Sequence, residues 1–258
     1  MADGTAPLAL ITGGHRRLGA RIAMRLAREG YALAIHGRHD ADPHRYLAEC
    51  LAETGAPWAG FVADFLKPGE AENLLPQVID RFGRVPDLLI NGASIFGQDD
   101  LTSVTADDLA QHHAVNAAAP VLLTKAFAAA EREGGHDACV INLLDQRLAQ
   151  PHGDQLAYTL SKAALAGFTQ IAARTLAPAI RVNAVAPGLT LATYDYSPPQ
   201  MARLMDMMPL KRLPEPDDVA EAVLYLARAK SVTGQTLFVD GGAHMRSYER
   251  DFVHLAED

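Results

Sequence analysis

The stretch Leu8-Ala9-Leu10-Ile11-Thr12-Gly13-Gly14-His15-Arg16-Arg17-Leu18-Gly19 decides how this chain is read. Its consecutive apolar residues make a run of strand type, and Gly13-Gly14 ends that strand in a turn. From Leu18 to Glu29 the residues Ile22, Ala23, Leu26 and Ala27 recur at helical spacing, and Gly30 stops the helix. Strand, glycine turn and amphipathic helix make the opening of a strand–helix–strand unit.

The alternation continues outward from there. Tyr31 to Ile35 reads as a strand and Asp42 to Glu53 as a helix; Phe61-Val62-Ala63 and Glu70 to Phe82 repeat the pair. Leu88-Leu89-Ile90 is a fourth strand, followed by a long helical stretch from Ala106 to Glu133 with a break at Pro120. Cys139 to Leu144, Ile180 to Val185 and Leu237 to Val239 are strands, separated by helices at Leu156 to Leu176 and Asp217 to Ala229. This order predicts an α/β fold, a doubly wound parallel sheet with helices on both faces, in a single domain over residues 1–258. Gly188 to Pro216, with Pro198, Pro199, Pro209 and Pro214, lacks a clear period and reads as a lid or binding loop.

Composition narrows the function. Of 258 residues 49% are hydrophobic and 21% charged, which suits a large core rather than disorder. Asp+Glu number 31 against 23 Lys+Arg, a formal charge of −8, and such a surface argues against nucleic acid as partner. Cys50 and Cys139 make neither a disulfide framework nor a zinc pattern. The histidines His112, His113, His136, His152, His244 and His254 lack metal-ligand spacing, so no metal is expected. No apolar run reaches the roughly 18 residues of a membrane span. Met1 to Pro7 does not resemble a secretion signal. The expectation is a soluble cytoplasmic protein.

In such sheets ligands bind beyond the carboxyl ends of the strands. The turn from Gly13 through His15, Arg16, Arg17 and Leu18 to Gly19 offers close backbone approach and a helix N-terminus, which suit a pyrophosphate. After the second strand come His36-Gly37-Arg38-His39, where dinucleotide sites for a free ribose usually hold a carboxylate. Arg38 and Arg16 could clamp a 2′-phosphate, which favours NADPH; Asp40 leaves open a solvated basic loop. Tyr158 and Lys162 lie four apart on one helical face, and an ammonium there would lower the phenol pKa. Asp145 ends a buried strand, where chemistry is expected, and Asn116 precedes Pro120.

In these pieces the chain resembles the short-chain dehydrogenases/reductases over essentially its whole length. The matching residues are Thr12-Gly13 to Gly19, Asp64, Asn91-Gly92-Ala93, Asn116, Tyr158-x-x-x-Lys162, Pro187-Gly188 and Asp240-Gly241-Gly242. The resemblance implies hydride transfer with a nicotinamide cofactor. It makes Tyr158 the acid/base, Lys162 the group that orients the ribose and tunes the tyrosine, and Asn116 the support of a relay water. It places Asp64 near the adenine, Asn91, Gly92 and Ala93 along the cofactor, and Pro187 and Gly188 beside the nicotinamide.

Two departures point to a branch. Arg17 stands where most members have glycine, and Asp145 where most have serine. Both are similar to the pteridine reductases, including the bacterial dihydromonapterin and dihydrofolate reductases, as is Asn91-Gly92-Ala93-Ser94-Ile95-Phe96 apart from Gly92. An ionised aspartate accepts hydrogen bonds and repels a developing alkoxide, so it suits a substrate rich in N–H groups. Phe96, with Ser94, Arg17, Asp145 and Tyr158, would form the slot for a pterin ring.

The bland readings remain: Asp145 as a turn former, Phe96 as a core plug, Arg17 as a structural ion pair. The function expected is NADPH-dependent reduction of the C=N bond of a dihydropterin or dihydrofolate. A carbonyl or alcohol oxidoreductase and a non-catalytic NADP(H)-sensing protein are the alternatives. Alanine-rich surfaces at Ala126 to Ala130 and Ala163 to Ala173 suit a homodimer or homotetramer. The methionines Met201, Met205, Met207 and Met208, with Tyr194 and Tyr196, are candidates to line the substrate pocket. The tail from Arg246 to Asp258 reads as disordered or as crossing to another subunit.

Overall fold

The computed structural model describes residues 6–134, 137–191 and 196–256. Its strands are β1 (Leu8–Thr12), β2 (Ala32–Gly37), β3 (Trp58–Val62), β4 (Leu88–Asn91), β5 (Ala138–Leu143), β6 (Ile180–Pro187) and β7 (Thr236–Val239). They pair in parallel in the order β3-β2-β1-β4-β5-β6-β7. The helices are α1 (Arg17–Arg28), α2 (Arg45–Thr54), α3 (Glu70–Phe82), α4 (Ala106–His113), α5 (Ala119–Gly134), α6 (Leu156–Leu176), α7 (Pro198–Met207), α8 (Pro216–Arg228) and the short α9 (Phe252–Leu255).

The continuous apolar runs follow from the two layers of helices. Leu8 and Leu10 of β1 enter the core made with α3, α5 and α6, while Ala9 and Ile11 enter the core made with α1, α2 and α8. Each leucine so buried stabilises the fold by roughly 1.5–3 kcal/mol. At the sheet edge β3 needs less cover, and its Trp58 and Val62 stay exposed. The strand order reverses at β1, which opens a crevice between the carboxyl ends of β1 and β4.

Several local expectations change. The helix expected from Asp42 starts at Arg45, because Pro43 biases the residue before it towards extended backbone. The break near Pro120 is a π-helical turn, Ala114–Ala118, in which the Ala119 N–H reaches back to the Ala114 carbonyl. Pro120 has no N–H to give the Asn116 carbonyl, so the regular ladder cannot run through. The segment 188–216 is not all loop. Ser197 and Gln200 cap α7 reciprocally, and Pro198 and Pro199 sit in its first turn, where an N–H needs no partner.

The tail is also corrected. Asp251 caps α9 through the Val253 N–H, and Phe252 and Val253 pack with Leu204 and Met208 of the same chain. Asp251, Phe252, Val253 and Ala256 are thus buried within this chain, while Arg246, Ser247, Glu249 and Arg250 are exposed. Tyr194, His136, Glu257 and Asp258 lie outside the described residues. No helix among the described residues is long and apolar enough to cross a membrane.

Candidate active site

The turns after β1 and β4 are locked together at the crevice. The Thr12 hydroxyl accepts hydrogen bonds from the Gly92 and Ala93 N–H groups at 2.9 and 3.0 Å. A Cβ on Gly92 would lie 2.8 Å from the Thr12 carbonyl oxygen, and one on Gly19 would lie 2.1 Å from that of Gly13. Only glycine lets the start of α1 sit this close to the turn. No side chain caps that helix start, so its N–H groups remain available to an anion. This bare cradle fits a dinucleotide pyrophosphate.

Arg17 holds φ +51°, the left-handed region that glycine favours. An arginine thus occupies a glycine's backbone position and extends its side chain into the cleft wall.

The adenosine end differs in part from expectation. His36 is buried: one ring nitrogen, Nδ1, accepts from the Gly13 N–H at 3.2 Å, and Nε2 meets the Ala63 carbonyl at 2.9 Å. Burial pushes its pKa down to about 4, so the ring is neutral and the Nε2–H tautomer matches both partners. Instead of the ligand contact expected, its side chain holds the turn from within. His15 is buried as well, its Nδ1 without a hydrogen-bond partner, while Arg16 and His39 are exposed. Arg38 is engaged elsewhere, forming two hydrogen bonds to Asp64, at 3.0 and 3.3 Å. Asn91 too is inward, donating to Asn142 at 2.8 Å.

At the other end lies a cleft of about 530 Å³ whose wall includes Ser94, Phe96, Asp145, Tyr158, Lys162 and Gly188. Pro187, the last residue of β6, also borders it. The Tyr158 hydroxyl donates to Asp145 Oδ2 at 3.0 Å. The other carboxylate oxygen accepts from the Arg147 N–H at 2.9 Å and caps the 3-10 turn Gln146–Leu148. One oxygen of Asp145 thus meets Tyr158 and the other caps the turn that follows.

Lys162 Nζ donates to the Leu143 carbonyl at 2.8 Å and lies 5.7 Å from the centre of the Tyr158 ring. Burial lowers its pKa to about 8 against the pull of Asp145. The expected lowering of the tyrosine pKa does not occur. Burial, then the Asp145 charge, push Tyr158 well above 10, because the phenolate would be desolvated beside a carboxylate.

Phe96 is not a core plug. It is 46% exposed and meets the Tyr158 ring edge-on, with centroids 4.9 Å apart. The Asn116 side chain is fully buried and spoken for: Oδ1 accepts from the Ile95 N–H and Ser94 Oγ, and Nδ2 donates to the Ile95 carbonyl and Ser161 Oγ. It fixes the loop that carries Phe96, leaving only its main chain for any water. Gly188 closes the far side, where a Cβ would lie 2.8 Å from that of Asp240. Met201, Met205 and Tyr196 line a neighbouring cavity of about 320 Å³ rather than this cleft, and Met208 is in the core. Among the described residues no group of His, Cys, Asp and Glu is arranged to hold a metal ion.

Sequence reading missed three residues here. Arg147 is buried and ion-paired with Asp145 and Asp251, both at 3.3 Å, and it donates to Gln155. The Asp145-x-Arg147 spacing was a faint signal; Asp251, 104 positions away, offered none.

The family model described as Enoyl-(Acyl carrier protein) reductase matches residues 14–244. The chain is 32% identical over 251 residues to 3-oxoacyl-(acyl-carrier-protein) reductase FabG of Staphylococcus epidermidis, covering 92% of this chain and 98% of that protein. It is 34% identical over 249 residues to (3R)-3-hydroxyacyl-CoA dehydrogenase of Mus musculus, with 92% and 96% covered. Among solved structures it is similar to FolM Alternative dihydrofolate reductase 1 from Brucella canis complexed with NADP. There the TM-score is 0.85 and the identity 35%, over 95% of this chain and 96% of that one. The Brucella suis protein, also in complex with NADP, gives a TM-score of 0.84 and 34% identity, over 96% and 98%. With a model matched across almost its full length, and with the crevice and the Tyr158–Lys162 pair arranged as described, the chain belongs to the short-chain dehydrogenase/reductase family.

Proposed function

We propose that the protein is an NADPH-dependent reductase of the C=N bond of a dihydropterin or dihydrofolate, giving the tetrahydro form. The observation that carries this reading is the Asp145 carboxylate, bonded to the Tyr158 hydroxyl at 3.0 Å in the wall of a cleft that also presents the Phe96 ring. The solved relatives complexed with NADP and named as dihydrofolate reductases support it.

Gly13, Arg17, Leu18, Gly19, Gly92 and Ala93 would hold the pyrophosphate and the adjoining ribose, with Lys162 on the nicotinamide ribose. Arg16, His39 and Arg38 would meet the 2′-phosphate, for which Arg38 must leave Asp64. When bound, NADPH would supply the hydride for the ring carbon. Tyr158, whose high pKa keeps its proton at neutral pH, supplies the proton to the adjoining nitrogen, directly or through a water. Asp145 Oδ2 accepts from the substrate's N–H groups and favours positive charge on the ring as it is protonated. Phe96 stacks on the ring face. Asn116 holds that loop in place.

The same carboxylate opposes an alkoxide, which sets this reading against carbonyl reduction, the activity that the names of the 3-oxoacyl and 3-hydroxyacyl relatives suggest. Purified protein mixed with NADPH and dihydrobiopterin or dihydrofolate should consume NADPH, and Tyr158→Phe should abolish turnover while leaving NADPH affinity nearly intact. Turnover of ketones with no pterin reduced would overturn the reading in favour of a carbonyl reductase. NADPH binding with no turnover at all would favour a sensing protein. The exposed residues Leu160, Ala163, Ala164, Gly167 and Ile171 on α6 support a homodimer or homotetramer, which sedimentation would test.

A further inference from the structure

Arg147 is the most heavily engaged cation of the site, and the family pattern does not call for it. Its guanidinium is almost fully buried. Nε pairs with Asp145 Oδ1 at 3.3 Å, Nη2 with Asp251 Oδ2 at 3.3 Å, and Nη1 donates to Gln155. Its charge lies 5.8 Å from the Phe96 ring centre and 5.4 Å from that of Tyr158. One planar group therefore touches the carboxylate, the tyrosine ring, the aromatic platform and the C-terminal segment. Asp251 in turn caps α9 and accepts at Oδ1 from the Val253 N–H, and its neighbours Phe252 and Val253 form part of the cleft wall.

We infer that Arg147 and Asp251 are positioning residues that aim Asp145 Oδ2 at the substrate and tie the C-terminal segment to the site as its outer wall. The inference rests on the reductase reading above and deepens it, since it names what holds the discriminating carboxylate. The reason lies in competition. An arginine fork free of other partners prefers both oxygens of one carboxylate. Asp251 occupies one arm, so only Nε is left for Asp145 Oδ1, and Oδ2 keeps its bond to Tyr158. Without Asp251 the fork can take both oxygens of Asp145, which turns the carboxylate away from the ring, and the Phe252–Val253 wall loses its anchor.

The test compares the full-length protein with Asp251→Asn, Arg147→Met and Arg147→Lys. Three quantities are measured: KM and kcat for dihydrobiopterin, the Kd of 2,4-diaminopteridine in the presence of NADPH by calorimetry, and the Kd of NADPH alone. Asp251→Asn should raise the substrate KM and the diaminopteridine Kd together by about tenfold, the factor expected for one charge-assisted hydrogen bond. Its kcat should fall less than its KM rises, and its NADPH Kd should stay put. Arg147→Lys should fail to rescue what Arg147→Met loses, because a single ammonium cannot serve three partners in a plane. Unchanged diaminopteridine affinity in Asp251→Asn would overturn the inference. So would an equal loss of NADPH affinity, which marks a general collapse of the fold. Failure of the wild type to reduce any pterin would instead sink the reductase reading, so the two failures are told apart.

Discussion

Asp145→Asn removes a charge while keeping the shape and leaving an oxygen able to accept from Tyr158. In the wild type Asp145 faces the Arg147 guanidinium at 3.3 Å, and the two side chains are only 20% and 7% exposed. Removing one partner of a buried ion pair costs about 3–5 kcal/mol. Here Asp251 continues to neutralise Arg147 at 3.3 Å, so about half of that, about 2 kcal/mol, is the expected loss. For a chain of this size that lowers Tm by about 4–8 °C. The catalytic effect is larger. Loss of a preorganised group matched to developing charge costs about 100- to 1,000-fold, and it should appear in kcat/KM for the dihydropterin. Tyr158 should also titrate lower, since the carboxylate is the second cause of its raised pKa. The assays are calorimetric melting and the loss of NADPH absorbance with dihydrobiopterin. A variant that keeps kcat/KM within about threefold of wild type would refute the role given to this charge, whatever its Tm.

Other perturbations follow from single residues. Arg17→Gly relieves the left-handed backbone at φ +51° and should stabilise the fold by about 1 kcal/mol in chemical denaturation, while weakening NADPH binding. Stabilisation with unchanged binding would remove Arg17 from the site. Lys162, lowered to about 8 from 10.5, sheds its proton in the folded state first, so unfolding takes up a proton across that window and stability rises with pH there. Activity should run the other way: kcat/KM should decline as pH climbs through about 8 and the ammonium is lost, and Lys162→Met should show neither trend. His36 is buried neutral with its pKa near 4 instead of 6.5. The unfolded chain binds that proton first, so about 3 kcal/mol of stability present above pH 6.5 is lost as pH falls towards 4. Acid denaturation of His36→Gln should be shallower by about one proton, and an unchanged slope would contradict the assignment.

What the order of residues determined by itself was everything local or periodic. Leu8 to Ile11 and Leu88 to Ile90 announce strands by their apolar runs, Cys139 to Leu144 a strand buried on both faces, and α3 and α6 were readable to the residue from their apolar repeat. The glycine turn and the Tyr158–Lys162 pair were legible because a tight backbone approach and one turn of helix are short-range constraints. Other features depended on residues distant in the chain. The tail read as loose until Phe252 found Leu204, whereas the Ser197–Gln200 cap that makes Pro198 and Pro199 the start of α7 was a local signal left unread. The tyrosine pKa was expected to fall because spacing shows Lys162 but not the depth of burial or the aim of Asp145. Arg147 joins residues 145, 155 and 251 at one guanidinium, a convergence that appears only when the sheet edge, α6 and the C-terminal segment are packed in space. Propensity and period act over a few residues, whereas desolvation and the direction of a charge are properties of the whole packed surface around it.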